Sequence, residues 1–376
     1  MAPPIKSKER FRRACTYASP DRPPITPLSA QPMVWERLYR FYEIPMPGGY
    51  PAPDAPGFNF GGFSEEARET FLRRVGADFR GVGPQYVGPP EKINEDGSWV
   101  DMWGTTYKWI PFHDSYYETA VGHPLAEIGS LEKLEDYPFP TMDWFDFSAI
   151  PEQCRRYADY ALISGGPGCM DFINGISFGR GVERVLMDIA EEDPVYLHIV
   201  EKRFDFFYAQ VKMTLEAAQG ALDVVYVGED LGTQLGPIIS PSAFEKLFGR
   251  YYRKIFALAH EYGANTMMHS CGSVRKFIPM LIDMGLDILD VVHVDAKDMD
   301  LAGLHRDFYG KIMFSGTLSV QSLLPHATPT QIRETIRNER KLFHDGGLIL
   351  GPTNVMQVDM PTENFDAMVR AITEID

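Results

Sequence analysis

Two side chains with metal-ligand chemistry stand two residues apart in the segment 265–273, which reads Asn-Thr-Met-Met-His-Ser-Cys-Gly-Ser. The apolar run 266–268 leads into His269 and Cys271, and residues 275–284 then take up an amphipathic pattern. That order predicts a β-strand, a short loop and a helix. Side chains at i and i+2 of a strand point the same way, so His269 and Cys271 are expected to project together from the strand's end. An imidazole beside a thiolate supplies half of a zinc site. The plainer reading is two buried residues with nothing between them.

The elements that must position this pair recur with regularity. Strands are expected at 25–28, 79–82, 161–164, 224–227, 266–268, 288–294, 312–314 and 348–350. Helical patterns at 182–190, 195–218, 241–262, 274–284, 299–308 and 330–344 separate the later ones. Strands alternating with helices imply βαβ units and a parallel sheet, and eight strands make a (β/α)8 TIM barrel the expected architecture. An open doubly wound sheet is the rival. Its glycine-rich turn is missing, because Gly179-Arg180-Gly181 begins that fingerprint but Arg184 holds the place of the third glycine. The chain is read as one domain, 1–376. Residues 1–21 form a tail and helix, and 43–118 hold excursions: a Pro/Gly-rich aromatic stretch at 43–62 and alternating hairpins at 92–118.

In a barrel the chemistry lies in the loops after the strands. Those loops carry Glu229, Asp230 and Gln234 after 224–227, His269 and Cys271 after 266–268, His293 after 290–292, and Asn354 after 348–350. Glu229 and His269 hold equivalent places on sequential strands, so Glu229, His269 and Cys271 form the expected metal set, suited to Zn²⁺ with an open fourth position. The plainer reading of Glu229 and Asp230 is helix capping or ion pairing at the barrel mouth. For His293 it is a hydrogen-bonded structural histidine.

Composition bounds the functions available. A net charge of −16, with 36 basic residues scattered among 52 acidic ones, argues against a nucleic-acid face. No apolar window suits a membrane span and residues 1–13 carry no secretory pattern, so a cytoplasmic protein is expected. Four cysteines, Cys15, Cys154, Cys169 and Cys271, are too few for a disulfide scaffold and are expected as free thiols.

Several stretches in order resemble the uroporphyrinogen decarboxylase superfamily, in its corrinoid-dependent methyltransferase branch. They are Ser19-Pro20-Asp21-Arg22-Pro23-Pro24-Ile25, Trp103-Gly104, His123-Pro124-Leu125, Asp230-Leu231-Gly232-Thr233-Gln234, His269-Ser270-Cys271-Gly272-Ser273 and Pro361-Thr362-Glu363-Asn364. The Arg-Gln-Ala-Gly-Arg signature of true uroporphyrinogen decarboxylases is absent, the region reading Gln31-Pro32-Met33-Val34-Trp35. The resemblance implies a zinc site of His269, Cys271 and a later Cys, with Glu229 as the candidate glutamate. Spacing puts that later position at Asn354, a weak ligand beside a thiolate. It further implies methyl transfer between a corrinoid and a small thiol or ether, with Asp230, Gln234 and His293 handling substrate or protons. Trp103, Tyr226 and Asn354 are expected to line the substrate site. No Asp-x-His-x-x-Gly run is present, so the cobalamin is expected free or on a separate corrinoid protein. The stretch 43–62 would cover the cleft or build a homodimer interface. Two other functions compete. One is a lyase using Asp230 and His293, with Arg80 or Arg180 gripping a carboxylate. The other is a silent barrel binding a corrinoid or tetrapyrrole.

Overall fold

The computed structural model describes residues 5–46, 64–112 and 115–374. Most of the stretch expected to be irregular at 43–62, from 47 onward, lies outside the described residues. Seven strands form one parallel sheet in sequence order: β1 (Phe79–Gly81), β2 (Ala161–Met170), β3 (Val224–Gly228), β4 (Asn265–His269), β5 (Ile288–Asp290), β6 (Met313–Ser315) and β7 (Leu348–Ile349).

These strands read as short continuous apolar runs because both faces are covered. One face contributes Phe79, Ile163, Tyr226, Met267, Ile288, Met313 and Ile349 to a single cluster. Phe11 and Ala14 of the helix Ser7–Cys15 complete it, so that helix packs its apolar stripe onto the inner face. The alternate residues, among them Leu162, Val225, Val227, Met268, Leu289 and Phe314, belong to a larger core shared with the surrounding helices. Burying a side chain such as Phe11, which is fully inaccessible, contributes roughly 1.5–3 kcal/mol.

The sheet curls. Ile25 pairs with Leu350 as an isolated parallel bridge, and Thr26 N donates to Leu350 O (2.8 Å). Ile25 N donates to Asp78 Oδ2 (2.8 Å), one residue before β1. Residues 24–26 therefore link the last strand to the first. The strand expected at 25–28 is that single bridge, and the one expected at 288–294 ends at Asp290, after which Val292 N turns to Ser315 O and Gly316 O. The helix expected over 241–262 divides into Pro241–Leu247 and Gly249–Glu261. Strands Lys92–Ile93, Trp99–Val100, Thr106–Phe112 and Ser115–Gly122 form a four-stranded antiparallel sheet outside the main one, in keeping with the hairpins expected there.

The helix Pro329–Leu342 opens on a capping box of Thr328 and Gln331 and buries one carboxyl, Glu339. Burial pushes Glu339 up to about 7, against a hydrogen bond donated by Thr317 Oγ1. Between the ordinary carboxyl value and about 7, the folded chain holds a proton that the unfolded chain has lost. Stability therefore falls as pH rises through that window, by about 3 kcal/mol for a shift of this size. Glu339→Gln should remove this slope, so the variant gains stability relative to wild type from pH 5 to 8. Urea midpoints across that range check it, and parallel profiles would contradict it.

Candidate functional site

The site is assembled where β4 meets its two neighbours. His269, the last residue of β4, stands opposite Gly228 of β3 and Asp290 of β5. Beyond the strand the chain is held tightly. Ser270 N donates to Asp290 O (2.5 Å), Cys271 N to Asp230 Oδ1 (2.9 Å), and Ser273 N to Thr233 O (2.8 Å). Gly272 lies at φ +81°, and a Cβ there would fall 2.4 Å from the Gly232 backbone, so only glycine fits.

This clamp sets His269 and Cys271 side by side, with Nε2 3.2 Å from Sγ. Asp230 Oδ1 lies 3.7 Å from the same Nε2. One ligand atom each from Asp230, His269 and Cys271 can be chosen so that all lie within 4.8 Å of one another. Asn354 Nδ2 donates to Cys271 Sγ (3.3 Å). The ring's other nitrogen, His269 Nδ1, faces Tyr226 Oη (3.4 Å) and Asp290 Oδ2 (3.5 Å), and Tyr226 Oη donates to that same Oδ2.

Electrostatics follow from this packing. Burial draws the His269 imidazole down, but its hydrogen bonds with Asp290 and Cys271 outweigh that and hold it well above its usual value. Burial pushes the Cys271 thiol up against the pull of His269, with Asp230 adding to the rise. Asp171 is pushed up to about 6 by burial, with Asp230 adding to the rise and Arg203 opposing it. Asn174 spans both acids: its N–H meets Asp171 Oδ1 (3.2 Å) and its Nδ2 donates to Asp230 Oδ2 (3.1 Å).

A metal is tested by the donor set. Thiolate, imidazole and carboxylate converging from two adjacent strand ends suit a borderline cation such as Zn²⁺, leaving a fourth position. Asp230 stands where Glu229 was expected. Glu229 is turned to the outer side and fully buried, with Phe172 N, Ile173 N and Tyr252 Oη donating to its carboxyl. Successive residues at a strand end face opposite sides, so only one of the two acids can enter the cluster. Burial raises Glu229 well above the usual carboxyl range, Asp171 adding to the effect.

Other expected residues divide. Tyr226 and Asn354 touch the cluster. Both ring nitrogens of His293 are engaged by backbone: Gly272 N donates to Nδ1 (3.2 Å) and Nε2 meets Thr353 O (3.2 Å). His293 therefore bridges the loops that carry Gly272 and Thr353. Gln234 is exposed and bonds Gln321 (3.2 Å). Trp103 packs on Phe206 and Phe207 under Arg203. Arg80 is buried against Glu69, and Arg180 against Asp188 and two carbonyls, so neither is available to a substrate carboxylate. Asp290 and Asn174 were not anticipated. For Asp290 the available signal was its place on the strand after His269.

Comparison with known proteins follows the same outline. The family described as Uroporphyrinogen decarboxylase (URO-D) matches residues 174–375, more than half of the chain. A "methylated-thiol--coenzyme M methyltransferase" of Methanosarcina mazei is 27% identical over 184 residues, 48% of this chain and 46% of that protein. The match thus spans about half the length of that curated relative. A solved methyltransferase from Methanosarcina mazei shares the fold across 98% of both chains, with a TM-score of 0.65 at 16% identity. The chain belongs to the uroporphyrinogen decarboxylase (URO-D) family.

Proposed function

We propose that the chain is a zinc-assisted methyltransferase moving a methyl group between a corrinoid and a small thiol, ether or similar molecule. The observation that carries this reading is the convergence of Asp230, His269 and Cys271 within 4.8 Å at the end of a parallel sheet. Membership of the URO-D family and the partial match to a methylated-thiol methyltransferase support it. The single domain spans 1–376, and the seven strands with the Ile25 bridge support closure as a (β/α)8 barrel.

Asp230, His269 and Cys271 would hold the zinc. When bound, it stabilises the deprotonated form of a thiol nucleophile and orients it. The chain's own groups prepare the site. Asn354 donates to the Cys271 sulfur and favours its thiolate, and Asn174 fixes the Asp230 carboxylate. The Gly272 turn keeps Cys271 beside His269. Since ligands must shed protons to bind, and both His269 and Cys271 hold theirs tightly, metal uptake should release protons and weaken as pH falls. The corrinoid would come from solution or on a separate protein. Among the described residues no helix is long and apolar enough to cross a membrane, and the reading places the enzyme in the cytoplasm.

Metal analysis of the purified protein, with His269→Ala and Cys271→Ser, tests the proposal. Wild type should carry about one zinc per chain and demethylate methylcobalamin in the presence of a thiol, as followed by its visible spectrum. Both variants should lose the metal and the activity. Zinc-free wild type with full activity in both variants would sink the reading.

A further inference from the structure

We propose that Asp290, with Tyr226, is a positioning residue that keeps a hydrogen on His269 Nδ1 and so makes Nε2 the nitrogen presented to Cys271 and Asp230. Its consequence for zinc rests on the metal reading above; the assignment of the hydrogen does not. The polar atoms near Nδ1 are Tyr226 Oη at 3.4 Å and Asp290 Oδ2 at 3.5 Å. Tyr226 has one hydroxyl hydrogen and donates it to Asp290 Oδ2, so it can offer Nδ1 only a lone pair. The Asp290 carboxylate is likewise an acceptor. Among the described residues two acceptors and no donor face Nδ1, so polarity settles the tautomer even though both contacts are long.

The arrangement is anchored at both ends. His269 and Asp290 are direct neighbours in the β4–β5 register, and the backbone bond from Ser270 N to Asp290 O locks the pair. Asp290 is 3% exposed, and its second oxygen, Oδ1, is buried without a hydrogen-bond partner among the described residues. A buried acceptor left unpaired is costly, and the carboxylate's other oxygen, Oδ2, is the one that faces His269 Nδ1 at 3.5 Å. On the far side of the ring, Nε2 lies 3.2 Å from Cys271 Sγ and 3.7 Å from Asp230 Oδ1. A carboxylate behind a ligating histidine fixes ring orientation and raises its basicity as a ligand.

The test is a long-range ¹H–¹⁵N spectrum of protein labelled at histidine nitrogen, with His269 assigned by its loss in His269→Gln. Wild type, recorded at a pH high enough for the ring to be neutral, should show Nδ1 protonated and Nε2 bare, with Nε2 the nitrogen that responds to added zinc. A hydrogen on Nε2 and a bare Nδ1 would overturn the proposal. Asp290→Asn puts an amide donor within reach of Nδ1 and should move the hydrogen to Nε2, lowering zinc affinity about 10–100-fold. Tyr226→Phe keeps the carboxylate and should keep the tautomer. An unchanged tautomer or unchanged zinc affinity in folded Asp290→Asn would also refute it. If that variant does not fold, the wild-type spectrum decides alone. If wild type takes up no zinc, the metal reading fails while the zinc-free spectrum still reports the hydrogen.

Discussion

Asp230→Asn is expected to lower zinc affinity by more than the roughly 10–100-fold typical of groups that merely support a ligand, whereas Glu229→Gln should leave zinc binding nearly unchanged and weaken the fold. The two acids are adjacent in sequence, so the contrast isolates which way each faces. Asp230 Oδ1 accepts from Cys271 N and lies 3.7 Å from His269 Nε2, while Oδ2 accepts from Asn174. An amide there keeps one acceptor and turns a donor toward another donor. It therefore disturbs both a ligand and the turn that carries Cys271. Glu229 serves Phe172 N, Ile173 N and Tyr252 Oη from a fully buried position. Gln can match only part of that set, and one buried donor left unpaired costs about 1–3 kcal/mol. Zinc competition titrations and urea unfolding of both variants read the two effects separately. Zinc loss in Glu229→Gln with retention in Asp230→Asn would reverse the ligand assignment.

That pair also marks the limit of what local sequence encodes. The run 224–227 is Val-Val-Tyr-Val, apolar at every position because both faces of the sheet are covered, so it carries no alternation to show which face Glu229 joins. A shift of one residue exchanges the two acids. His269 and Cys271 were legible because their i, i+2 spacing brings them together whichever face they share. Asp290 was hidden for the opposite reason. Its partnership with His269 depends on the register between β4 and β5, which no local pattern encodes. His293 was found as a polar residue near a strand end, but β5 stops at Asp290, and the turn that follows delivers the imidazole to backbone groups of Gly272 and Thr353. Trp103 belongs to the antiparallel insertion, whose docking against Phe206 and Phe207 is a tertiary matter. Strand and helix order was legible throughout the later chain, since apolar runs bounded by Gly, Pro and caps survive without knowledge of neighbours.

The largest expected loss of stability lies at the other end of the sheet, in Asp78→Ala. Asp78 is fully buried just before β1 and accepts from Arg10 Nη1 (2.6 Å), Arg22 Nη1 (2.8 Å) and Ile25 N (2.8 Å). Arg10 and Arg22 are themselves 5% and 6% exposed, and Asp21 takes the remaining face of Arg10 through Nε (2.7 Å) and Nη2 (2.9 Å). Removing Asp78 strands one guanidinium beside a second, with a single carboxylate between them. Breaking a buried charge set in this way costs about 3–5 kcal/mol, against a total stability of about 5–15 kcal/mol for a typical domain. The damage should also be directional. Ile25 N loses its acceptor, and residues 24–26 are the link between β7 and β1, so that junction should open before the rest of the sheet. Thr26 Oγ1 meets Ser315 Oγ (3.1 Å) at the end of β6, next to the strand that carries Asp290. Faster amide exchange at Ile25 and Thr26, with His269 and its neighbours still protected, is the expected signature in Asp78→Ala. A urea midpoint equal to wild type, or exchange that rises evenly across all seven strands, would show that this cluster does not hold the sheet's two edges together.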